Sequence, residues 1–275
     1  DSYDGGISVQ IENDNLQELQ VISGTFNAEY GRALTGIINM VTKDGGNKLE
    51  GSINIYGGDH STSDQIYQNL NSFSPINAYS ITANLNGPII KDRLTFYSSS
   101  RINNSKGWLY GKQLFTMYGD TISQPSYHGM NWYNSWSSQN KLTFKIGPLT
   151  KLRLNTIFNS GISQNYDHYR QLVDDGLKHH YNTGQFTGLN LSHSFSPNSF
   201  IELNITQYIH RYESYLFADS LDSRYITPDS LFWAHIVGDV PEHIKEEYGN
   251  EVNYFPQYTF NRWGLDTDRF MRETK

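Results

Sequence analysis

The sequence predicts an all-β-dominated fold made of long antiparallel hairpins. Three observations predict it. Apolar and polar residues alternate with a period of two along many stretches, the spacing that sorts side chains onto opposite faces of a strand. Tight turns containing Gly or Pro join these stretches in pairs. The pairs are separated by long, polar connections, so short and long links alternate along the chain.

The elements can be justified in order. Leu16 and Leu19 fall one turn apart, with Asp14 and Asn15 before them as N-caps, and read as a short amphipathic turn. Val21 and Ile22 begin a strand that Ser23 and Gly24 stop. Ile37, Ile38, Met40 and Val41 form a second strand, so continuously apolar that burial on both faces is expected. Gly31 and Gly36 bracket its entry and Gly45-Gly46 its exit, where the backbone needs positive φ or a close approach.

From Leu49 the period becomes two. Strands are expected over Gly51 to Tyr56, Ala78 to Asn86 and Arg93 to Asn103, with a turn at Gly87-Pro88. Leu142, Phe144 and Ile146 alternate with Lys141, Thr143 and Lys145; Gly147-Pro148 turns; Leu152 and Leu154 alternate with Lys151, Arg153 and Asn155. Leu189 and Leu191 lead to a turn at Ser196-Pro197-Asn198, after which Ile201, Leu203 and Ile205 alternate with Glu202, Asn204 and Thr206. The long connections span roughly residues 57–77, 104–134, 162–183 and 214–258. Strands of about ten residues can cross a bilayer when tilted by ~45°. Alternation of short turns with long loops is the pattern of a transmembrane β-barrel, whose short turns face the periplasm.

Composition excludes several classes. The net charge is −7, with no Lys/Arg cluster, which argues against nucleic-acid binding. No apolar run approaches the ~20 residues of a membrane helix. The mean hydropathy of −0.60 would suggest a soluble protein, but alternating barrel strands average out as polar. The chain has no Cys, compatible with an oxidising compartment. There is no Gly-x-Ser-x-Gly elbow, phosphate loop or His-Glu-x-x-His, so no enzyme is expected. Glu242 and His243, in a short surface helix expected over Pro241 to Tyr248, lack the second His. His179-His180, near Asp174 and Asp175, is a poor chelate because neighbours in extended chain point apart. Asp219, Asp222 and Asp229 lack calcium-loop spacing. No metal or cofactor is expected.

The segments QELQVISG, AEYG (Ala28 to Gly31) and TGIINMVTK (Thr35 to Lys43), in this order and followed at once by alternating strands, carry a specific resemblance. They resemble the C-terminal half of the plug domain of TonB-dependent outer-membrane receptors. The likeness is to the Bacteroidetes-type group that often carries a carboxypeptidase-regulatory-like domain, more than to the starch-utilisation group. The sharp motifs lie in residues 16 to 46; the rest of the chain is covered loosely. The resemblance implies a fragment of a 22-stranded antiparallel transmembrane β-barrel with part of an α+β plug. Residues 1–46 would be plug and residues 47–275 the first part of the barrel, about seven strands. Signal peptide, TonB box and the first plug half would precede Asp1, and further strands would follow Lys275. The plug enters from the periplasmic side in this family, so the first wall strand rises outward and the Gly87-Pro88 turn is periplasmic.

The resemblance further implies energy-coupled import of a siderophore, glycan, peptide or similar ligand. Partners would be the TonB complex, through the missing N-terminal segment, outer-membrane lipid and the unidentified ligand. The location would be the outer membrane of a Gram-negative bacterium. Carried over residue by residue, the plug motif comprises Glu18, Val21, Gly24, Glu29, Tyr30, Gly31, Gly36, Asn39, Thr42 and Lys43. Glu18 or Glu29 is expected to pair with Arg93, Lys141, Lys145 or Arg153 on the wall. Trp108, Tyr110 and Trp132, in an aromatic-rich loop, are candidate ligand contacts, while Trp136 fits an interfacial girdle. Two alternatives stand beside import: a non-transporting surface, adhesion or assembly protein on the same fold, and a soluble carbohydrate-binding β protein. A TonB box upstream would favour transport over the first, and fractionation without detergent would favour the second.

Overall fold

The computed structural model describes residues 15–23, 36–116, 121–219 and 270–274. Gly24, Glu29, Tyr30, Gly31, Asp222, Asp229 and the Pro241 to Tyr248 segment lie outside the described residues. The regular structure of the described residues is β, apart from 3-10 turns at His168–Arg170 and Asp174–Gly176 and a 3-10 residue at Asn15. Its strands are β1 (Leu16–Ser23), β2 (Gly36–Thr42), β3 (Glu50–Gly58), β4 (Ala78–Ile90), β5 (Leu94–Ser105), β6 (Tyr110–Phe115), β7 (Thr121–Gly129), β8 (Tyr133–Gly147), β9 (Thr150–Gln164), β10 (His179–Ser196), β11 (Ser199–Tyr215) and β12 (Phe270–Thr274). They form three antiparallel sheets: β1-β2, β6-β7, and an eight-stranded wall in the order β12-β11-β10-β9-β8-β5-β4-β3.

The wall is a meander in which each hairpin follows the last, interrupted only where β6 and β7 leave between β5 and β8. Its ladders run long and in register, from Glu50↔Asn86 to Gly58↔Ala78 in the first pair. The β10–β11 ladder runs from His179↔Tyr215 to Ser196↔Ser199, with one bulge near its turn. Because the period is two, this register sorts the side chains cleanly. One face carries Ile53, Ile55, Leu85, Phe96, Leu142, Leu154, Leu189, Leu203 and Ile205. The other carries Thr82, Tyr97, Ser99, Lys141, Gln139, Thr143 and Asn204.

The two faces are buried in the reverse of the soluble order. Thr82 is 0% exposed and Ser99 and Gln139 are each 2% exposed, while Ile53 is 71% and Ile205 57% exposed. Across β4, β5 and β8 the polar face is covered and the apolar face is open, whereas on β11 both faces are exposed, Glu202, Asn204 and Thr206 as well as Ile201, Leu203 and Ile205.

Several expectations need correction. The segment from Leu16 is strand, not an amphipathic turn: β1 pairs along its length with β2, from Leu16↔Thr42 to Ser23↔Gly36. Paired backbone and the β-branched residues Val21 and Ile22 outweigh the capping signal. Asn15 is buried just before β1. β2 is not buried on both faces, since Ile38, Met40 and Val41 are exposed. A two-stranded sheet has no second layer of its own, and no described element covers these residues.

Gly87-Pro88 is not a turn either. β4 continues to Ile90 and the turn falls at residues 91–93, where Asp92 takes φ 62° and Arg93 N–H donates to the Ile90 carbonyl at 3.0 Å. Pro88 is tolerated inside β4 because β3 stops pairing at Asn86. Beyond that point β4 is an edge on that side, and a missing N–H there costs nothing. Finally, the connection expected over 104–134 contains a hairpin of its own, β6–β7.

Candidate functional site

Two places gather the residues singled out in the sequence. The first is the seam where the small β1-β2 sheet meets the polar face of the wall. Asn15 begins it: its backbone carbonyl accepts from Lys43 N–H at 2.9 Å, and its side-chain Oδ1 accepts from the Tyr97 hydroxyl at 2.9 Å. One residue thus links β1, the end of β2 and β5. Lys141, on β8 directly opposite Tyr97, makes the second link. Its ammonium lies 2.6 Å from an Asp44 carboxylate oxygen and donates to the Thr42 carbonyl at 2.9 Å. Lys141 is 11% exposed and Asp44 46%, so the cation is largely covered while its partner keeps contact with solvent. Gly45 follows, so close to the backbone of Phe96 that a Cβ there would overlap it. This is a close approach, not a left-handed turn, and the one glycine at positive φ among the described residues is Gly107.

Lys141 therefore reaches the small sheet, but its partner is Asp44 and not Glu18, which is exposed on β1. Arg153 donates to Asn190 Oδ1 at 3.0 Å, along the wall. Thr42 is buried at the seam. Val21 pairs with Ile38, Gln20 with Asn39, and Gly36 closes the ladder against Ser23. Tyr97 and Asp44 were not singled out in the sequence. Nothing in a period-two pattern distinguishes a Tyr that faces a seam from one that faces water.

The second place is a pocket of about 330 Å³ at the loop end of β4, β5 and β8, lined by Asn69, Asn77, Lys106, Tyr110, Tyr127, Gly129 and Trp132. Asp59 organises one side. Its carboxylate accepts from Ser74 N–H at 2.7 Å, Asn77 Nδ2 at 2.8 Å and His60 N–H at 2.8 Å. Burial pushes the Asp59 carboxyl up, but these donors together hold it below its ordinary value. Asn77 in turn accepts from Lys106 N–H at 2.8 Å. Trp132 is fixed on the other side: its indole N–H donates to Gln164 Oε1 at 3.2 Å and its ring meets His179 edge-on at 5.2 Å. Burial, with Asp59 adding, pushes the Tyr110 phenol up. The lining combines flat rings, amides and one ammonium, a set suited to a polar ligand with an apolar face.

Tyr110 and Trp132 thus share this pocket, while Trp108 stands outside it, tilted on Tyr67 at 5.8 Å. The Trp108 and Leu109 N–H groups both donate to Asn131 Oδ1, at 3.0 and 2.8 Å, which shapes the turn at Gly107. Lys106, Asn69 and Asn77 were not foreseen, because two separate loops, β3–β4 and β5–β6, bring them in. Phe115 fills a small core with Leu114, Leu172 and Val173. Trp136 lies on the open apolar face of β8, its N–H donating to Ser100 Oγ at 2.8 Å. His179 and His180 sit in β10 on opposite faces, the one beside Gln164 and the other bonded to the Tyr212 hydroxyl at 2.8 Å.

The described fold is therefore of the all-antiparallel class, with a small sheet held on the polar face of a long meander. Among known proteins, an alignment of 98 positions that covers 30% of this chain shows 32% identity to the TonB-dependent transporter Oar of Myxococcus xanthus. The chain spans 8% of the length of that relative. No family model matches the chain, and no solved structure matches it.

Proposed function

We propose that this chain is part of a TonB-dependent transporter of the outer membrane, of the Bacteroidetes-type group carrying a carboxypeptidase-regulatory-like domain. In this reading β3 to β5 and β8 to β12 form a stretch of barrel wall, and β1-β2 belong to the plug. The observation that carries the reading is the reversed burial of the wall. A soluble sandwich covers its apolar face and wets its polar one; here the apolar face is open along the wall, and across β4, β5 and β8 it is the polar face that is covered. A patch of exposed Ile, Leu and Phe spread over several strands needs a non-aqueous neighbour, and a bilayer supplies one to a barrel. The similarity to the Myxococcus transporter supports the same reading.

The seam fits a movable plug. Among the described residues its contacts include an ion pair with a half-exposed partner and hydrogen bonds, and groups of this kind can be re-solvated when a contact breaks. In this account the TonB complex, powered from the inner membrane, pulls on the plug from the periplasm, and the ligand enters from the loop side past the Tyr110–Trp132 pocket. No chemistry of these residues is needed for that import.

The test does not require the ligand. With Asp44→Cys in the Cys-free chain, thiol labelling from the periplasm should be faster in energised cells with TonB than in cells lacking it. Equal labelling in the two strains would favour the non-transporting surface protein.

A further inference from the structure

The β6–β7 hairpin holds a constellation that import does not use. Ser126 and His128, two apart on β7, share one face of the strand. Ser126 Oγ lies 2.6 Å from His128 Nε2. The other ring nitrogen, His128 Nδ1, lies 2.8 Å from Asp174 Oδ2. Asp174 comes from a distant segment, and two features bring it here. The Leu114 and Phe115 N–H groups both donate to the Leu172 carbonyl, at 3.0 and 3.2 Å, and Leu172 and Val173 pack on Leu114 and Phe115. Asp174 then opens the 3-10 turn with its side chain 15% exposed, whereas Ser126 is exposed to solvent.

Hydroxyl, imidazole and carboxylate stand in the order that an activated serine requires. A carboxylate on Nδ1 fixes the proton there and leaves the Nε2 lone pair for the serine hydroxyl. The hydroxyl faces solvent, where a substrate can reach it. β7 is one strand of a two-stranded sheet and pairs with β6 alone. A mere clamp between hairpin and loop would need His128 and Asp174 only.

We propose that Ser126, His128 and Asp174 form an acyl-transfer site for carboxylic esters on this loop, independent of the import reading. Ser126 Oγ attacks the ester carbonyl carbon as its proton passes to His128 Nε2, and Asp174 stabilises the imidazolium through Nδ1–H. The carbonyl–alkoxide bond breaks, and His128 returns the proton to the departing alkoxide, which leaves as the alcohol. The acyl group stays on Ser126. Water, giving a proton to the same nitrogen, attacks the acyl carbon and releases the acid, and Ser126 recovers its proton. Ser126, His128 and Asp174 were invisible as a motif because they come from two segments far apart in sequence.

The test uses a fluorophosphonate on the whole protein in isolated membranes, with the labelled residue located by mass spectrometry. In this reagent the Ser126 oxygen–phosphorus bond forms as fluoride leaves. Ser126 should be labelled faster than any other exposed serine. Ser126→Ala should remove that label, and His128→Gln should slow it on the order of 10²-fold. Label on Ser126 that is no faster than on other serines, or a rate unchanged by His128→Gln, would overturn the proposal. Because the Ser126 hydroxyl is exposed, Ser126→Ala should leave the protease resistance of the hairpin unchanged, so loss of label in that variant reports chemistry.

Discussion

Lys141 and Asn15 tie the small sheet to the wall. Lys141 is nearly covered, so removing its partner leaves a cation with reduced hydration and only the Thr42 carbonyl beside it. Asp44→Ala should therefore loosen residues 42–46 by about 1–2 kcal/mol, less than a fully buried pair because Asp44 is half exposed. Hydrogen exchange at the Lys43 amide, which bonds Asn15, would report it. Asp59 makes a pH-dependent prediction. Its carboxyl is held below the ordinary 3.8 by its donors. Such a group contributes its stability above the ordinary value, and the contribution is lost as pH falls through the lower, folded value. Pepsin cleavage between residues 60 and 76 should accordingly begin only in that acid range, whereas Asp59→Ala should be cleaved at any acid pH where pepsin works.

The strands of the wall show what a sequence can and cannot reveal. The turns at Pro148 and Pro197 were legible because a tight turn interrupts strict alternation there, and β8 to β11 follow from the alternation on either side. The strands run longer than the apolar alternation: β10 spans 18 residues, beginning at His179, where Asn, Thr, Gly and Gln replace Leu and Val. Hydrogen bonds to neighbours on both sides, not side chains, carry β10 that far. Gly87-Pro88 misled because these residues mark both turns and strand edges, and which one applies depends on where β3 ends. β6 and β7 were hidden because aromatics and glycines read equally well as loop. The pocket was half legible, through Tyr110 and Trp132, since Lys106 and the two Asn arrive by folding. At this scale the faces of β11 make a sharp prediction. Leu203→Arg on the open face should destabilise the membrane-embedded protein by roughly 2–4 kcal/mol if near the bilayer midplane, and Asn204→Arg on the other face by far less. Unfolding from lipid vesicles in urea would separate the two.

For the molecule as a whole, an open apolar face, long hairpins and a small sheet held on the polar face point the same way. An open apolar wall explains the acceptable polar average, and the ladder hydrogen bonds it needs are satisfied within the sheet. A cysteine scan along β11 tests this directly, because the chain has no Cys of its own. Single cysteines at Ile201, Leu203 and Ile205 and at Glu202, Asn204 and Thr206 would be examined in outer membranes with a water-soluble maleimide and with a lipid-soluble quencher of an attached probe. The account predicts a period of two, with 201, 203 and 205 shielded from maleimide and quenched by lipid, and 202, 204 and 206 labelled and unquenched. Uniform labelling at all six positions, with no quenching from lipid, would contradict a membrane-spanning wall.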